Sequence, residues 1–234
     1  IWENKKVENI RKYYARDAIV RSPSRTTYDC NKVVEATYET LNQFPNRELI
    51  GEDVISCGSI DKIFLSSHRI LSTGTHIGEG IYGKPTGKKV IYRVIADCLV
   101  KNNEVIEEWI IRDEKSILNQ LGIQILDYVK QKIIEGVYKK NDINLIKNCF
   151  KIKNKISPCK SKSADKYKNH FLKIIKDQTK VYHLYERSAQ LYWIGGEVIY
   201  TFDQIFEKWK LFLSCFNISK CEISNSILLN QANM

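Results

Sequence analysis

Between Arg47 and Asp113 the chain carries four β-rich runs, RELIGEDVISCGS, KIFLSSHRILSTGTH, KKVIYRVIADCLV and EVIEEWIIRD, set apart by turn residues. Runs of this length, rich in Val and Ile, read as strands, and strands in succession with short links pair antiparallel. Such a sheet must cover its apolar face, and the flanking segments offer helices. Apolar residues at Val7, Ile10 and Tyr14 have helical spacing. AIVRSP, from Ala18, is a short strand ended by Pro23. Asp29 is a candidate N-cap for a helix through Val33, Val34, Thr37, Tyr38 and Leu41, stopped by Pro45. EKSILNQLG closes the unit, with Gly122 as its C-terminal stop. The fold class that follows is α+β, with helices gathered on one curved antiparallel sheet.

One loop in this unit spells a phosphate-binding motif. HIGEGIYGKPTGKKVI contains G-x-G-x-x-G at Gly78, Gly80 and Gly83. A dinucleotide fingerprint must open a helix whose N-terminal N–H groups hold the pyrophosphate. Here Lys84-Pro85-Thr86-Gly87 makes a turn and another strand follows. The P-loop spelling fails as well, because Lys88 is followed by Lys89 where Ser or Thr is needed. The stretch reads as a strand-to-strand connection, so no nucleotide cofactor is expected.

The composition narrows the remaining classes. No run of about 18 apolar residues is present, so no membrane span is expected, and the N-terminal stretch lacks the pattern of a secretory signal. Seven scattered cysteines never form C-x-x-C, so neither a zinc site nor a disulfide framework is expected. They read as reduced thiols of a cytoplasmic protein. The net charge of +10 is concentrated in the second half, where residues 124–234 hold 19 Lys/Arg against 10 Asp/Glu. These cations are spread along Lys/Ile/Asn-rich segments without interleaved stacking aromatics, which argues for a solvated surface and against nucleic-acid binding.

The second half also echoes the first. An offset of 136 residues lays Asp29 over Asp165, which opens DKYKNHFLKIIKDQ, and brings ENIRKYYARDAIVRSP close to LIKNCFKIKNKISPCK. Helix, strand and helix recur in order, as in a tandem repeat. The expected division is residues 1–122 and residues 124–234. The counterpart of the helix IQILDYVKQKIIEGVYKK would then lie before residue 1. The second copy is divergent or cut short: QLYWI and EVIYTF form a hairpin around Gly195-Gly196, but no later stretch reproduces the last two strands.

The final hairpin of the first unit can be put in register from its turn. Asn102-Asn103 suits a two-residue type I′ connection, since Asn tolerates positive φ. An unbroken ladder from that turn pairs Ala96 with Trp109, Val94 with Ile111 and Tyr92 with Asp113. One face then carries Tyr92, Val94, Ala96, Trp109, Ile111 and Asp113; the opposite face carries Arg93, Asp97, Glu108, Ile110 and Arg112. A carboxylate at the rim of an apolar wall has its charged form disfavoured and becomes a candidate acid/base. The competing reading makes Asp113 the N-cap of the following helix.

An α-rich start, a short strand, a helix and a run of long antiparallel strands resemble the nuclear transport factor 2-like superfamily. Within it, residues 3–122 are similar to the SnoaL-like polyketide cyclase family. The matching features are Gly74-Thr75-His76, the turn Pro85-Thr86-Gly87-Lys88, E-x-W-x-x-x-D from Glu107 to Asp113, and L-x-Q-L-G from Leu118 to Gly122. The resemblance implies a cystatin-like cone, a curved antiparallel sheet wrapped on helices with a pocket at the wide end. It also implies cofactor-free and metal-free acid/base chemistry, in which Asp113 is the general acid/base. His76 is its catalytic partner, and His68, Tyr92 and Trp109 contact the substrate, a small hydrophobic carbonyl compound. Hydrolase relatives need an Asp-Arg-Asp cluster; Arg93 and Asp97 fall on the face opposite Asp113 in the unbroken register. The alternative is a non-catalytic small-molecule-binding or assembly domain of the same fold. The second half is then structural, packing on the first within the chain or mediating a homodimer.

Overall fold

The structure is a computed structural model that describes residues 1, 3–59, 61–136 and 162–218. Two compact units divide it, Ile1–Pro158 and Cys159–Met234. In the first, a 3-10 turn (Val7–Asn9) runs into the short helix α1 (Ile10–Tyr13), then strands β1 (Tyr14–Arg21) and β2 (Thr26–Tyr28). Helix α2 (Cys30–Gln43) follows, capped as its sequence indicates: the Asp29 carboxylate accepts from the Asn31 N–H at 2.7 Å. Four long strands come next, β3 (Glu48–Ser59), β4 (Ile63–Thr75), β5 (Lys89–Lys101) and β6 (Glu104–Arg112). Helices α3 (Glu114–Leu121) and α4 (Ile125–Ile134) complete the described part of the unit.

The sheet order is β2-β1-β6-β5-β4-β3. β1 and β6 are parallel, and every other neighbouring pair is antiparallel. Two places break the ladders by one residue. Glu52 is extra in β3, between the pairs Gly51–Ile70 and Asp53–Arg69. Ile106 is extra in β6, between Val100–Val105 and Leu99–Glu107. Bulges bend a strand and increase its twist, so a sheet with one on each side of β4–β5 curves around its contents. Those contents are two apolar groups. Ile10, Val33 and Val34 of the helices meet Ala18 and Val20 of β1. Ile117, Leu118 and Leu121 of α3 meet Phe44, Tyr82 and Val90, with Ile125 and Tyr128 of α4 packed against them. This is the α+β cone with helices in the concavity of a curved sheet.

The bulge at Ile106 corrects the unbroken hairpin register. Asn102 and Asn103 take positive φ of 53° and 64°, and the first pairs, Lys101–Glu104 and Val100–Val105, follow the ladder the turn dictates. Past Ile106 the pairing slips by one: Cys98 faces Glu108, Ala96 faces Ile110 and Val94 faces Arg112. A one-residue slip moves every side chain of a strand to the other face. Glu108, Ile110 and Arg112 therefore join Tyr92, Val94 and Ala96, while Trp109 is paired with Asp97.

The glycine loop connects β4 to β5 with no helix after Gly83. Its glycines permit close packing: a Cβ on Gly78 would stand 1.9 Å from the Asn42 carbonyl oxygen. The Gly78 N–H instead donates to the Gln43 carbonyl at the end of α2.

The described part of the second unit holds α5 (Lys162–Lys176), a 3-10 turn (Gln178–Lys180), α6 (Val181–Leu184), a hairpin of β7 (Leu191–Trp193) and β8 (Glu197–Ile199), and α7 (Phe202–Ser214). Gly195 and Gly196 turn that hairpin with positive φ. Trp209 of α7 packs edge-on to Phe171 and Trp193 around the buried Val181 and Ile205. The segment LIKNCFKIKNKISPCK, which carries the strand of the expected repeat, lies outside the described residues.

Among the described residues no helix is long and apolar enough to cross a membrane. Cys30, Cys98 and Cys215 are free thiols, whereas Cys57 is disulfide-bonded, a departure from the all-reduced expectation.

Candidate functional site

A cavity of about 160 Å³ lies between α2 and the concave face of the sheet. Its apolar lining comes from Val20, Val33, Ile70, Val94 and Ile110, and its polar lining includes Glu108, Arg112, Arg47, Tyr92, Ser72 and Gln43. The strand periodicity explains the choice. Val20 pairs with Glu108 across β1–β6, Ser72 with Tyr92 across β4–β5, and Val94 with Arg112 across β5–β6, so alternate residues of four strands point inward.

Glu108 is the central titratable group of this cavity. It is 4% exposed, and its two carboxylate oxygens have different donors. The Tyr14 hydroxyl donates to Oε2 at 2.9 Å and the Cys98 thiol donates to Oε1 at 3.8 Å. Burial pushes the Glu108 pKa up to about 7, and the two hydrogen bonds, which favour the charged form, hold it from rising further. Burial together with the neighbouring carboxylate drives the Tyr14 hydroxyl well above its ordinary value, so Tyr14 stays a donor. Cys98 is likewise held as a neutral thiol by burial. A carboxyl poised near 7 in an apolar cavity has the property required of a general acid or base at neutral pH.

A second polar group sits along the same wall. Arg112 faces Val94, four β5 residues from the Cys98 level at which Glu108 lies, about 13 Å of strand. The Arg112 Nε is 3.1 Å from Glu114 Oε1, and the Tyr82 hydroxyl donates to Glu114 Oε2 at 2.6 Å. Arg47, just before β3, rests against the Tyr92 hydroxyl, and burial lowers its pKa. Ser72, with no exposed surface, has an unpartnered hydroxyl, and the Gln43 side-chain oxygen is buried without a partner.

The residues singled out from sequence are dispersed by this geometry. Tyr92 lines the cavity, 7% exposed. His68 is on the same concave face, paired with Ala96, and its Nε2 is 2.9 Å from the Ser66 hydroxyl; burial lowers its pKa. His76 is fully buried between the Phe44 ring, stacked at 5.3 Å, and Tyr82. Its Nδ1 is 3.3 Å from the Thr86 hydroxyl, burial lowers its pKa, and it does not line the cavity. Trp109 is turned to the opposite face, where the Arg21 guanidinium lies over its ring. Asp113 is the N-cap of α3, with Oδ1 accepting from the Ser116 N–H at 3.0 Å. Arg93 and Asp97 lie on the Trp109 face, and Arg93 is held by two hydrogen bonds to Glu52. Sequence reasoning missed Glu108, Arg112 and Arg47. The signal for the first two is present, since both fall on one face of a strand, but the unbroken register sets that face opposite Tyr92 and Val94.

The six-stranded mixed sheet, its strand order and the helices in its concavity decide the architecture. It is an α+β fold, a curved sheet packed on helices. No protein-family model matches the sequence, and no curated protein does. Solved structures of similar fold include IdmH of Streptomyces antibioticus, a candidate polyketide cyclase, at 23% identity over 52% of this chain and 91% of that one, with a TM-score of 0.44. AclR of Streptomyces galilaeus, a candidate hydroxylase, is 23% identical over 52% and 86%, with a TM-score of 0.44. A SnoaL-like candidate polyketide cyclase from Jannaschia sp. CCS1 is 14% identical over 52% and 81%, with a TM-score of 0.46. About half of this chain thus accounts for most of the length of each.

Proposed function

We propose that the first unit is an acid–base catalyst acting on a small, largely apolar carbonyl compound, with Glu108 as the proton-transfer group. The observation that carries this reading is Glu108 itself, a carboxyl 4% exposed on the cavity wall with its pKa at about 7. Tyr14 orients the carboxyl through its hydroxyl, and the apolar wall keeps water from levelling its basicity. Tyr92 and Ser72 supply hydroxyls along the wall for a substrate oxygen. In this assignment Glu108 takes the place that the family resemblance gave to Asp113. The second unit is proposed to be structural, a divergent partner domain without acid–base machinery.

The test is a substrate-independent probe of a desolvated carboxylate base. With 5-nitrobenzisoxazole, the base removes the ring C–H proton, the N–O bond breaks, and coloured 2-cyano-4-nitrophenolate is released. Turnover should rise with pH through about 7 as Glu108 ionises, and Glu108→Gln should remove it. Turnover that survives this substitution with an unchanged pH profile sinks the assignment. The alternative, a non-catalytic binding domain, predicts binding of apolar ligands with no turnover in either protein.

A further inference from the structure

Resting on this reading of the cavity as a ligand site, the geometry points to a substrate class: an otherwise apolar molecule bearing a carboxylate, which Arg47 and Arg112 hold while its reacting carbon faces Glu108. Arg47 and Arg112 both line the one cavity. Arg112 already has a counter-charge in Glu114 at 3.1 Å. Arg47 has none: among the described residues no carboxylate lies in ion-pair reach of it, and its polar neighbours are the Tyr92 hydroxyl and the second cation, Arg112. A buried guanidinium beside another cation is costly unless an anion answers it. Burial lowers the Arg47 pKa, as that arrangement requires.

Three further observations sharpen the class. The fork of a guanidinium matches the two oxygens of a carboxylate. The unpartnered Ser72 hydroxyl lies at the level of Tyr92, opposite it across β4–β5, and so offers the anion a neutral donor. The sheet wall between the arginines and Glu108 is Val94, Ala96 and Ile110, which suits a hydrocarbon body, and the two other charged residues of the lining, Arg25 and Glu39, pair with each other. The Arg112 and Glu108 levels are about 13 Å apart along the strand, so the anionic end of the ligand is remote from its reacting centre. Remote binding energy of this kind orients the reacting carbon.

The experiment compares 3-phenylpropionate with its neutral isostere 3-phenylpropionamide by titration calorimetry on the full chain. The acid is expected to bind about 10- to 100-fold more tightly than the amide, the range for a hydrogen bond to a charged group. Arg47→Met should abolish that preference and leave amide binding in place. Arg47→Lys, which keeps the charge and loses the fork, should retain part of it and carries the test if the Met variant does not fold. Glu108→Gln should keep the preference. Equal binding of acid and amide, binding of neither, or a preference unchanged in both Arg47 variants overturns the inference. Turnover of the benzisoxazole probe with no acid preference sinks this inference alone. An acid preference without Glu108-dependent turnover sinks the catalytic reading and leaves the anion site standing.

Discussion

Glu108, in the middle of β6, and Asp113, just past its end, stand five residues apart, and the fold gives them different work. Glu108 is turned into a cavity, 4% exposed, with a tyrosine and a thiol as donors and its pKa at about 7. Asp113, one residue past the strand, spends its carboxylate on the Ser116 N–H at the start of α3. Both are carboxylates beside apolar residues in the sequence, so residue chemistry does not separate them. What separates them is strand parity, and parity past the turn is set by Ile106 alone.

The contrast can be sharpened first at that bulge. Deleting Ile106 removes the bulge: the ladder from the Asn102-Asn103 turn then runs unbroken into Leu99–Glu107, Glu108 still faces Cys98, and the loss falls on the bend of the sheet around the cavity. The expected cost is about 3 kcal/mol, from lost curvature and packing, read as a lowered thermal transition with Glu108-dependent turnover still present. Glu108→Gln is milder and more specific: turnover of the benzisoxazole probe should fall by about 100-fold or more with the fold intact by circular dichroism.

The raised pKa of Glu108 also has a signature in stability. Because its folded value, about 7, exceeds its unfolded value of 4.5, the folded state holds the proton more tightly. Its contribution is fully present below pH 4.5 and is lost as pH rises through 7, about 3 kcal/mol in all. Urea denaturation of the wild type and Glu108→Gln at a series of pH values should show that slope in the first and not in the second. The buried His76 works in the opposite sense, since its lowered pKa costs stability as pH falls below about 6.5, so the difference between the two proteins is the quantity to read. The smallest effect belongs to Asp113. Asp113→Ala should cost about 1 kcal/mol, the usual worth of an N-cap, without loss of turnover. A turnover loss as large as that of Glu108→Gln would erase the distinction between the two carboxylates.

The elements of the first unit were legible because their signals are local. Asp29 and Asp113 cap the helices they precede, Gly122 ends α3 in the left-handed conformation, and Asn102-Asn103 makes the tight turn. The site was less legible. EVIEEWIIR is apolar on both parities, so its pattern fits either face inward, and a turn fixes register only until the first bulge. His68 and Tyr92 share the concave face because no bulge interrupts β4–β5 between them. Arg47 follows a proline turn as the first residue of the run RELIGEDVISCGS, and nothing in its sequence surroundings marks it as inward.

By itself, then, the sequence determined the four long strands, the helices α2 and α3 with their caps and stops, and that the glycine loop lacks the helix a nucleotide site needs, but not β2 or the start of β1 at Tyr14. Hydrogen-bond caps, glycine and asparagine dihedrals and apolar periodicity all act within a few residues, and a chain carries them wherever it goes. Tertiary structure alone decided which carboxylate is buried. The pairing of β6 with β1 on one edge and β5 on the other places Glu108 beside Tyr14 and Cys98. That burial raises its pKa through the loss of water around the charged form, a property of the assembled cavity and of no single stretch of chain.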